Sequence, residues 1–303
     1  MTEIWRADTM HSFEGKVGLV TGGGSGIGRG ICLALADAGA NLIVADIDLD
    51  NAARVAEEVT GKGVRGIPVH IDVRKTDSVA ALAETATREM DGVDIVCNNA
   101  GVILVGKMRD TTEDDWRFVL SVNLDGVFRV GQCFAQLLRE QNRGGHIVNT
   151  ASVGGFLSHS SSVAYHVSKH GVVAYSEALR ADLEPDGIGV STLCPGEVVT
   201  NLADCDRLRD PEDQVGLQSE AVREWDRDGL QPEEVGAIVV SGIRQNAAYI
   251  YTHDFSEPLA DRLQQVLKDL KDGLPLVKGA SGSWYQRVLK GFEFKDLKPP
   301  RKK

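Results

Sequence analysis

Short apolar runs alternate with longer amphipathic ones along most of the chain. Residues 16–20 are apolar and β-branched enough for a buried strand, and Ile31, Leu33, Leu35 and Ala36 behind them suit a packed helix. The pairing repeats. A strand at 41–45 precedes a helix at 51–60, and a strand-like run at 64–71 closes on Asp72-Val73. Thr76-Asp77 supplies an N-cap for a helix through Met90, followed by a strand at 93–97. One long helix from about 112 to 140, a strand at 146–149, a helix from about 164 to 183 and a strand at 188–193 complete the series. Alternation of this kind predicts a doubly wound, mostly parallel α/β sheet with right-handed crossovers and helices on both faces. Ligands of such sheets bind beyond the carboxyl ends of the strands. No repeat or Pro/Gly/Ser-rich linker divides the chain, so residues 13–253 read as one domain. An N-terminal extension covers 1–12, and a helical extension with a basic tail covers 254–303.

Between the first strand and the first helix stands Thr21-Gly22-Gly23-Gly24-Ser25-Gly26-Ile27-Gly28. A glycine loop there lets backbone N–H groups approach a pyrophosphate closely, and the helix N-terminus adds partial positive charge. The second strand ends at Asp46, roughly twenty residues past the loop, where a carboxylate accepts hydrogen bonds from a ribose 2′-OH and repels a 2′-phosphate. Arg29-Gly30 follows Gly28 in place of Gly-Lys-Ser/Thr, which excludes the phosphate loop of ATPases and GTPases.

Composition narrows the classes further. The chain has 303 residues, 42% apolar and 25% charged, with a formal net charge of -11, enough for one full α/β domain with appendages. An acidic chain whose only basic cluster is the tail at 295–303 is not expected to bind nucleic acid. Five cysteines without a CxxC pair point to reduced thiols. The first twelve residues lack an apolar signal core, and no run reaches eighteen apolar residues, so the expectation is a cytoplasmic protein without a membrane partner.

Tyr165 and Lys169 lie four residues apart in a helical segment, hence on one face. An ammonium beside a phenol favours the phenolate, lowering its pKa from about 10 toward the range useful for proton exchange. Ser152 follows a strand end, which puts its hydroxyl at the same sheet edge as the glycine loop. His166 and His170 share an i, i+4 spacing but have no further ligand partner, and they read as exposed or packing residues; no metal is expected.

With these motifs in hand, residues 13–252 resemble the short-chain dehydrogenase/reductase superfamily. Thr21 to Gly28 matches its Thr-Gly-x-x-x-Gly-x-Gly loop, Asn98-Asn99-Ala100-Gly101 its Asn-Asn-Ala-Gly segment, and Ser152, Tyr165 and Lys169 its catalytic serine, tyrosine and lysine. Asn123 matches its catalytic asparagine, and residues 195–200 resemble the segment at the nicotinamide end of the cofactor. The resemblance implies a Rossmann-like fold, NAD as cofactor and a homodimer or homotetramer. It implies that Tyr165 is the general acid/base, that Ser152 polarises the substrate oxygen, that Lys169 binds ribose and depresses the tyrosine pKa, and that Asn123 holds a water in a relay to Lys169. Implied cofactor contacts are Gly22, Ser25, Gly26, Ile27, Gly28, Asp46, Ile47, Asp72, Val73, Asn99, Gly101, Val198 and Thr200, with Tyr165 and Lys169.

For the substrate, Val153, Phe156, Glu197 and Leu202 are the expected pocket residues, with Val102, Ile103 and Leu157 nearby. The apolar lining favours a hydrophobic secondary alcohol or ketone. Glu197 departs from the bulky apolar residue common at its place and either faces the pocket or points to solvent. Residues 201–230 mix charges with apolar side chains, as a mobile flap over a ligand does. Leu259, Leu263, Val266, Leu267 and Leu270 form an apolar stripe on a further helix, expected to be buried near the substrate entrance or at an interface. The extension resembles that of members acting on bulky aromatic, terpenoid or steroid-like alcohols. Two other readings stay open: a non-catalytic NAD-binding protein on the same fold, and an NAD-assisted epimerase or dehydratase.

Overall fold

In the computed structural model, which describes residues 10, 12–209 and 228–272, each apolar run becomes a parallel strand. The strands are β1 (Val17–Thr21), β2 (Asn41–Asp46), β3 (Gly66–His70), β4 (Ile95–Asn98), β5 (Gly145–Thr150), β6 (Ile188–Cys194) and β7 (Tyr249–Tyr251). They form a seven-stranded sheet in the order β3-β2-β1-β4-β5-β6-β7, with every pairing parallel. The chain runs outward from β1 to β3 and then returns to place β4 on the other side of β1. That reversal opens a crevice beyond Thr21 and Asn98, the expected ligand position of a doubly wound sheet.

Helices α1 (Gly26–Asp37), α2 (Leu49–Thr60), α3 (Thr76–Met90), α4 (Glu113–Asn123), α5 (Asp125–Gln141), α6 (Val163–Leu183) and α7 (Pro232–Arg244) cover both faces. Because strand side chains alternate, Leu19, Ile43, Val96 and Ile147 pack toward Leu82, Val119, Val130 and Phe134 on one face. Val20, Val44, Cys97 and Val148 pack toward Ile31, Leu35, Val235 and Val239 on the other. A fully buried side chain of this size contributes about 1.5–3 kcal/mol, whereas an exposed ion pair is worth at most about 1 kcal/mol. The two apolar layers therefore hold the sheet. Helices α1 and α7 cross so closely that a Cβ on Gly30 would lie 1.9 Å from the Pro232 carbonyl oxygen, and one on Gly236 2.2 Å from that of Gly30. Only glycine fits at that crossing.

Two local expectations are corrected. The helix expected from about 112 to 140 is two helices, because the backbone leaves helical geometry at Leu124 (φ -116°, ψ -60°). The break coincides with long-range contacts: Asn123 is hydrogen-bonded to the main chain of Val102, and the Leu124 side chain presses against Gly171 of α6. Thr112 starts α4 with a capping box shared with Asp115. The N-cap of α3 is Lys75, without a side-chain cap bond, and Thr76 is already helical.

At the opposite edge of the sheet His146 of β5 is buried, and its Nε2 lies 2.8 Å from Ser191 Oγ. The Ser191 hydroxyl donates to the Ala247 carbonyl, so the imidazole donates to the serine and carries its proton on Nε2. Burial, reinforced by Arg180, pushes its pKa down to about 3. An unfolded histidine titrates near 6.5. The unfolded chain therefore binds the extra proton first, so the stability contribution is complete above pH 6.5 and is lost as pH falls toward 3. Denaturant titrations should show wild-type stability falling more steeply between pH 6.5 and 4 than that of His146→Gln, and parallel slopes would refute this assignment.

The chain divides into two compact units, one up to Leu259 and one from Ala260. Of the second, residues 260–272 are described, as most of helix α8 (Ser256–Asp272). In the single chain Leu263, Val266, Leu267 and Leu270 of its stripe are 53–64% exposed. Asp210, Glu212, Asp213, Val215, Leu217, Val222 and Trp225 of the expected flap, and the basic tail, lie outside the described residues.

Candidate active site

The glycine loop wraps the carboxyl end of β1. Gly22 and Gly26 take φ of +63° and +49°, the left-handed region that disfavours side chains. A Cβ at Gly28 would lie 2.0 Å from the Gly22 carbonyl oxygen, so any larger residue would force the loop open. Ser25 makes no side-chain cap for α1, which leaves the first N–H groups of that helix to an anion. Thr21 Oγ1 accepts from the N–H groups of Asn99 (3.0 Å) and Ala100 (3.1 Å), fastening β1 to the segment after β4. These features fit a dinucleotide pyrophosphate.

Asp46 ends β2 beside the loop. Its Oδ2 accepts from Gly24 N–H and its Oδ1 from Asp48 N–H, both at 2.9 Å. Burial raises its pKa, while these two N–H bonds and the nearby Arg207 act in the opposite direction. Asp72, after β3, is gripped by the Arg74 guanidinium at 2.9 Å on both oxygens. Its pKa is lowered: burial raises it, but the bonds to Arg74 outweigh burial.

On the nicotinamide side expected from the sequence, Ser152 follows β5 in extended geometry. Its Oγ accepts from Gly154 N–H at 3.0 Å and donates weakly to the Pro195 carbonyl at 3.5 Å. Tyr165 and Lys169 occupy successive turns of α6, with Lys169 Nζ 5.5 Å from the tyrosine ring centroid. Lys169 is buried and donates to the Thr150 carbonyl at 2.9 Å. Burial pushes its pKa down to about 8. Asn123 sits under this group: Oδ1 accepts from Val102 N–H, and Nδ2 donates to the Val102 carbonyl and Ser168 Oγ. A Cβ on Gly101 would touch both Asn123 Oδ1 (3.5 Å) and Lys169 Nζ (3.6 Å), so these groups converge there.

One cleft joins the two halves. It is lined by Gly22, Ser25, Gly26, Ile27, Asp46, Ile47, Asp72, Val73, Asn99, Gly101, Ser152, Tyr165, Lys169, Val198, Thr200 and Leu202. Gly28 and Asn123 stand behind the lining, one supporting the loop and the other the Val102 segment. Val153, Phe156 and Glu197 do not line it. Phe156 packs instead on Tyr249 and Tyr251, at centroid distances of 5.8 and 6.3 Å. Glu197 is exposed, with its carbonyl accepting from Leu230 N–H.

The segment after Thr200, expected as part of the flap, brings residues to the cleft whose partners the sequence did not name. Its 3-10 helical turns (Leu202–Leu208) place Cys205, Arg207 and Leu208 on the cleft, with Phe118 and Val122 of α4. Cys205 donates its thiol to the Ile103 carbonyl at 2.9 Å, and Arg209 pairs with Asp115 at 2.8 Å over the Phe118 ring. Arg207 reaches Asp48 at 3.6 Å. A mixed-charge stretch signalled a flap, but no local pattern could name partners so distant in sequence. Among the described residues no group of three His, Cys, Asp or Glu side chains could hold a metal ion.

A family model described as short chain dehydrogenase matches residues 16–210. The probable oxidoreductase EphD of Mycobacterium tuberculosis is 35% identical over 230 residues, 75% of this chain but 39% of EphD, so this chain spans about two fifths of that relative's length. The 1-deoxy-11-beta-hydroxypentalenate dehydrogenase of Streptomyces exfoliatus is 37% identical over 224 residues, covering 70% of this chain and 81% of that enzyme. Among solved structures, a short-chain dehydrogenase/reductase from Burkholderia phymatum in complex with NAD superposes with a TM-score of 0.79 at 33% identity, covering 88% of this chain and all of that one. The glycine cradle, the parallel sheet and these matches agree, and the chain belongs to the short-chain dehydrogenase family.

Proposed function

We propose that this chain is an NAD-dependent oxidoreductase that interconverts a hydrophobic, bulky secondary alcohol and its ketone. The observation that carries the reading is one cleft lined at one end by the glycine loop and Asp46 and at the other by Ser152, Tyr165 and Lys169. The loop and the first turn of α1 hold the pyrophosphate, and Asp46 accepts from the adenosine ribose. NAD held there would supply the hydride acceptor, and NADH the hydride donor, for the reaction.

In the oxidation direction the Tyr165 oxygen takes the proton of the alcohol, and in reduction it returns that proton to the ketone oxygen. Ser152 donates its hydroxyl to the same oxygen. The hydroxyl is free to do so because its bond to Pro195 is long, while Gly154 N–H fixes the oxygen from behind. Lys169 stabilises the phenolate by its charge, which it retains at neutral pH because its pKa lies near 8, and it holds the second ribose. Asn123 has protein partners at both ends of its carboxamide, so its part in the relay toward Lys169 is to hold the Val102 segment and Ser168 in place.

The apolar side chains Val102, Phe118, Val122, Leu202 and Leu208 on the cleft support a hydrophobic substrate. The name of the Streptomyces relative, a dehydrogenase of a hydroxypentalenate, supports a bulky one. The test is a panel of apolar secondary alcohols with NAD, read by NADH absorbance, and of the matching ketones with NADH. Turnover of at least one bulky pair is expected. Tight NADH binding without turnover of any member would overturn the reading.

A homodimer or homotetramer belongs to the same proposal, and the exposed stripe of α8 supports it. Sedimentation equilibrium should give a dimer or tetramer at micromolar concentration; a monomer would refute this part. The cytoplasm is the proposed location; no helix among the described residues is long and apolar enough to cross a membrane.

A further inference from the structure

The residue that follows Tyr165 takes no part in the chemistry above, yet both of its ring nitrogens are engaged. His166 is buried, 5% exposed. Its Nδ1 lies 3.1 Å from the Gly154 carbonyl oxygen, and its Nε2 3.3 Å from His159 N–H. A carbonyl only accepts and an amide N–H only donates, so these partners assign a neutral ring with its proton on Nδ1. Gly154 in turn donates its own N–H to Ser152 Oγ at 3.0 Å. Space is as tight as the bonding: a Cβ on Gly154 would lie 3.0 Å from His166 Nδ1 and 3.4 Å from Ser152 Oγ.

We propose that His166 is a positioning residue for Ser152, bridging Gly154 and His159 so that the segment between the serine and the tyrosine holds the serine hydroxyl in its working orientation. The inference rests on the proposed oxidoreductase reading. Physically, the bridge matters because, between the 3-10 turn Val153–Gly155 and the single parallel bridge of Ser162 to Gly106, this segment belongs to no sheet strand or helix. One helix side chain bonded at two points along such a segment replaces the backbone ladder it lacks.

The bridge works in only one protonation state. A second proton turns Nε2 into a donor facing the donor of His159, and the contact becomes repulsive. Groups facing the ring are His159, packed edge-on at 4.3 Å between centroids, Tyr165 at 5.9 Å, and His170, whose Nδ1 meets the His166 carbonyl at 2.9 Å. Burial first, then the charges of His159 and His170, lower the His166 pKa, and the bond to Gly154 opposes them. The neutral bridge therefore persists at neutral pH and fails only in acid.

The test combines kinetics with a readout that needs no substrate. His166→Leu should lower kcat about tenfold or more while NADH affinity, measured by fluorescence, stays within about twofold. Wild-type kcat should fall in acid as His166 gains its second proton; His166→Asn, whose amide still donates to Gly154, should recover much of kcat and lack that part of the fall. In a Ser152→Ala background His166→Leu should cost no further kcat, since the group it positions is gone. An equal loss in both backgrounds, or a parallel loss of NADH affinity, would show a merely structural role and overturn the proposal. Independently, nitrogen-15 spectra of the histidine rings, assigned with His166→Asn, should show the Nδ1–H tautomer titrating below the ordinary histidine value. The other tautomer, or an ordinary pKa, would overturn the bridge. Absence of turnover in wild type would instead count against the oxidoreductase reading and leave the spectroscopic result to decide the bridge.

Discussion

Tyr165→Phe will cut turnover at least a hundredfold and leave NADH affinity within about twofold, the lower bound of what a positioned general acid/base supplies. The substitution removes one oxygen and keeps the ring that packs beside Lys169 and His166. In the proposed reading the loop, Asp46, Asn99 and Lys169 hold the cofactor, so binding and chemistry separate. Lys169→Ala should weaken both, because the lysine lines the cleft and its ammonium also ties α6 to the Thr150 carbonyl at the end of β5. Steady-state kinetics on the alcohol found in the panel, with NADH titrated by fluorescence, decide the matter. A Tyr165→Phe protein retaining more than about a tenth of wild-type turnover would remove the tyrosine from the role.

The second large effect concerns cofactor choice. Wild type should prefer NAD, since Asp46, the proposed ribose acceptor on the cleft, would repel a 2′-phosphate and Ser25 adds no cation. Asp46→Ala with Ser25→Arg should move the NADP-to-NAD ratio of kcat/KM by about a hundredfold or more, because exchanging one charged contact for another is worth roughly 3 kcal/mol. Arg207, paired with Asp48 at 3.6 Å, adds a cation near the same carboxylate that favours the phosphate once Asp46 is gone. The alanine also leaves the N–H groups of Gly24 and Asp48 without their acceptor, so some stability is lost with the switch. A thermal melt separates that loss from the change in preference. Wild type turning over NADP as well as NAD at matched concentrations, or a ratio unmoved in the double variant, would refute the assignment.

Where the signal is local, the sequence was legible. Apolar β-branched runs became strands within one or two residues of their expected ends, because a strand buried on both faces needs an unbroken apolar run. The glycine loop was readable because positive φ and close backbone approach exclude side chains at Gly22, Gly26 and Gly28. Tyr165 and Lys169 were readable because helix geometry alone puts them on one face.

Partners far apart in the chain were not legible, and the structure decided them. The helix break at Leu124 accompanies Asn123 reaching Val102 and Leu124 meeting Gly171, contacts without a trace in helix periodicity. Phe156, expected in the substrate pocket, turns to Tyr249 and Tyr251, because β7 pairs beside β6 and brings that aromatic surface within reach. Arg207, Cys205 and Arg209 acquired Asp48, Ile103 and Asp115 only when the segment after Thr200 folded over the cleft. His166 read as an exposed or packing residue until Gly154 and His159 stood at its two nitrogens. Local signals were enough for the sheet class, the glycine loop and the placing of Tyr165 and Lys169 on one helix face, since periodicity, φ and helical spacing act over a few residues. Which side chains meet across the cleft depended on docking separate elements, where burial and hydrogen-bond satisfaction are settled by the whole fold.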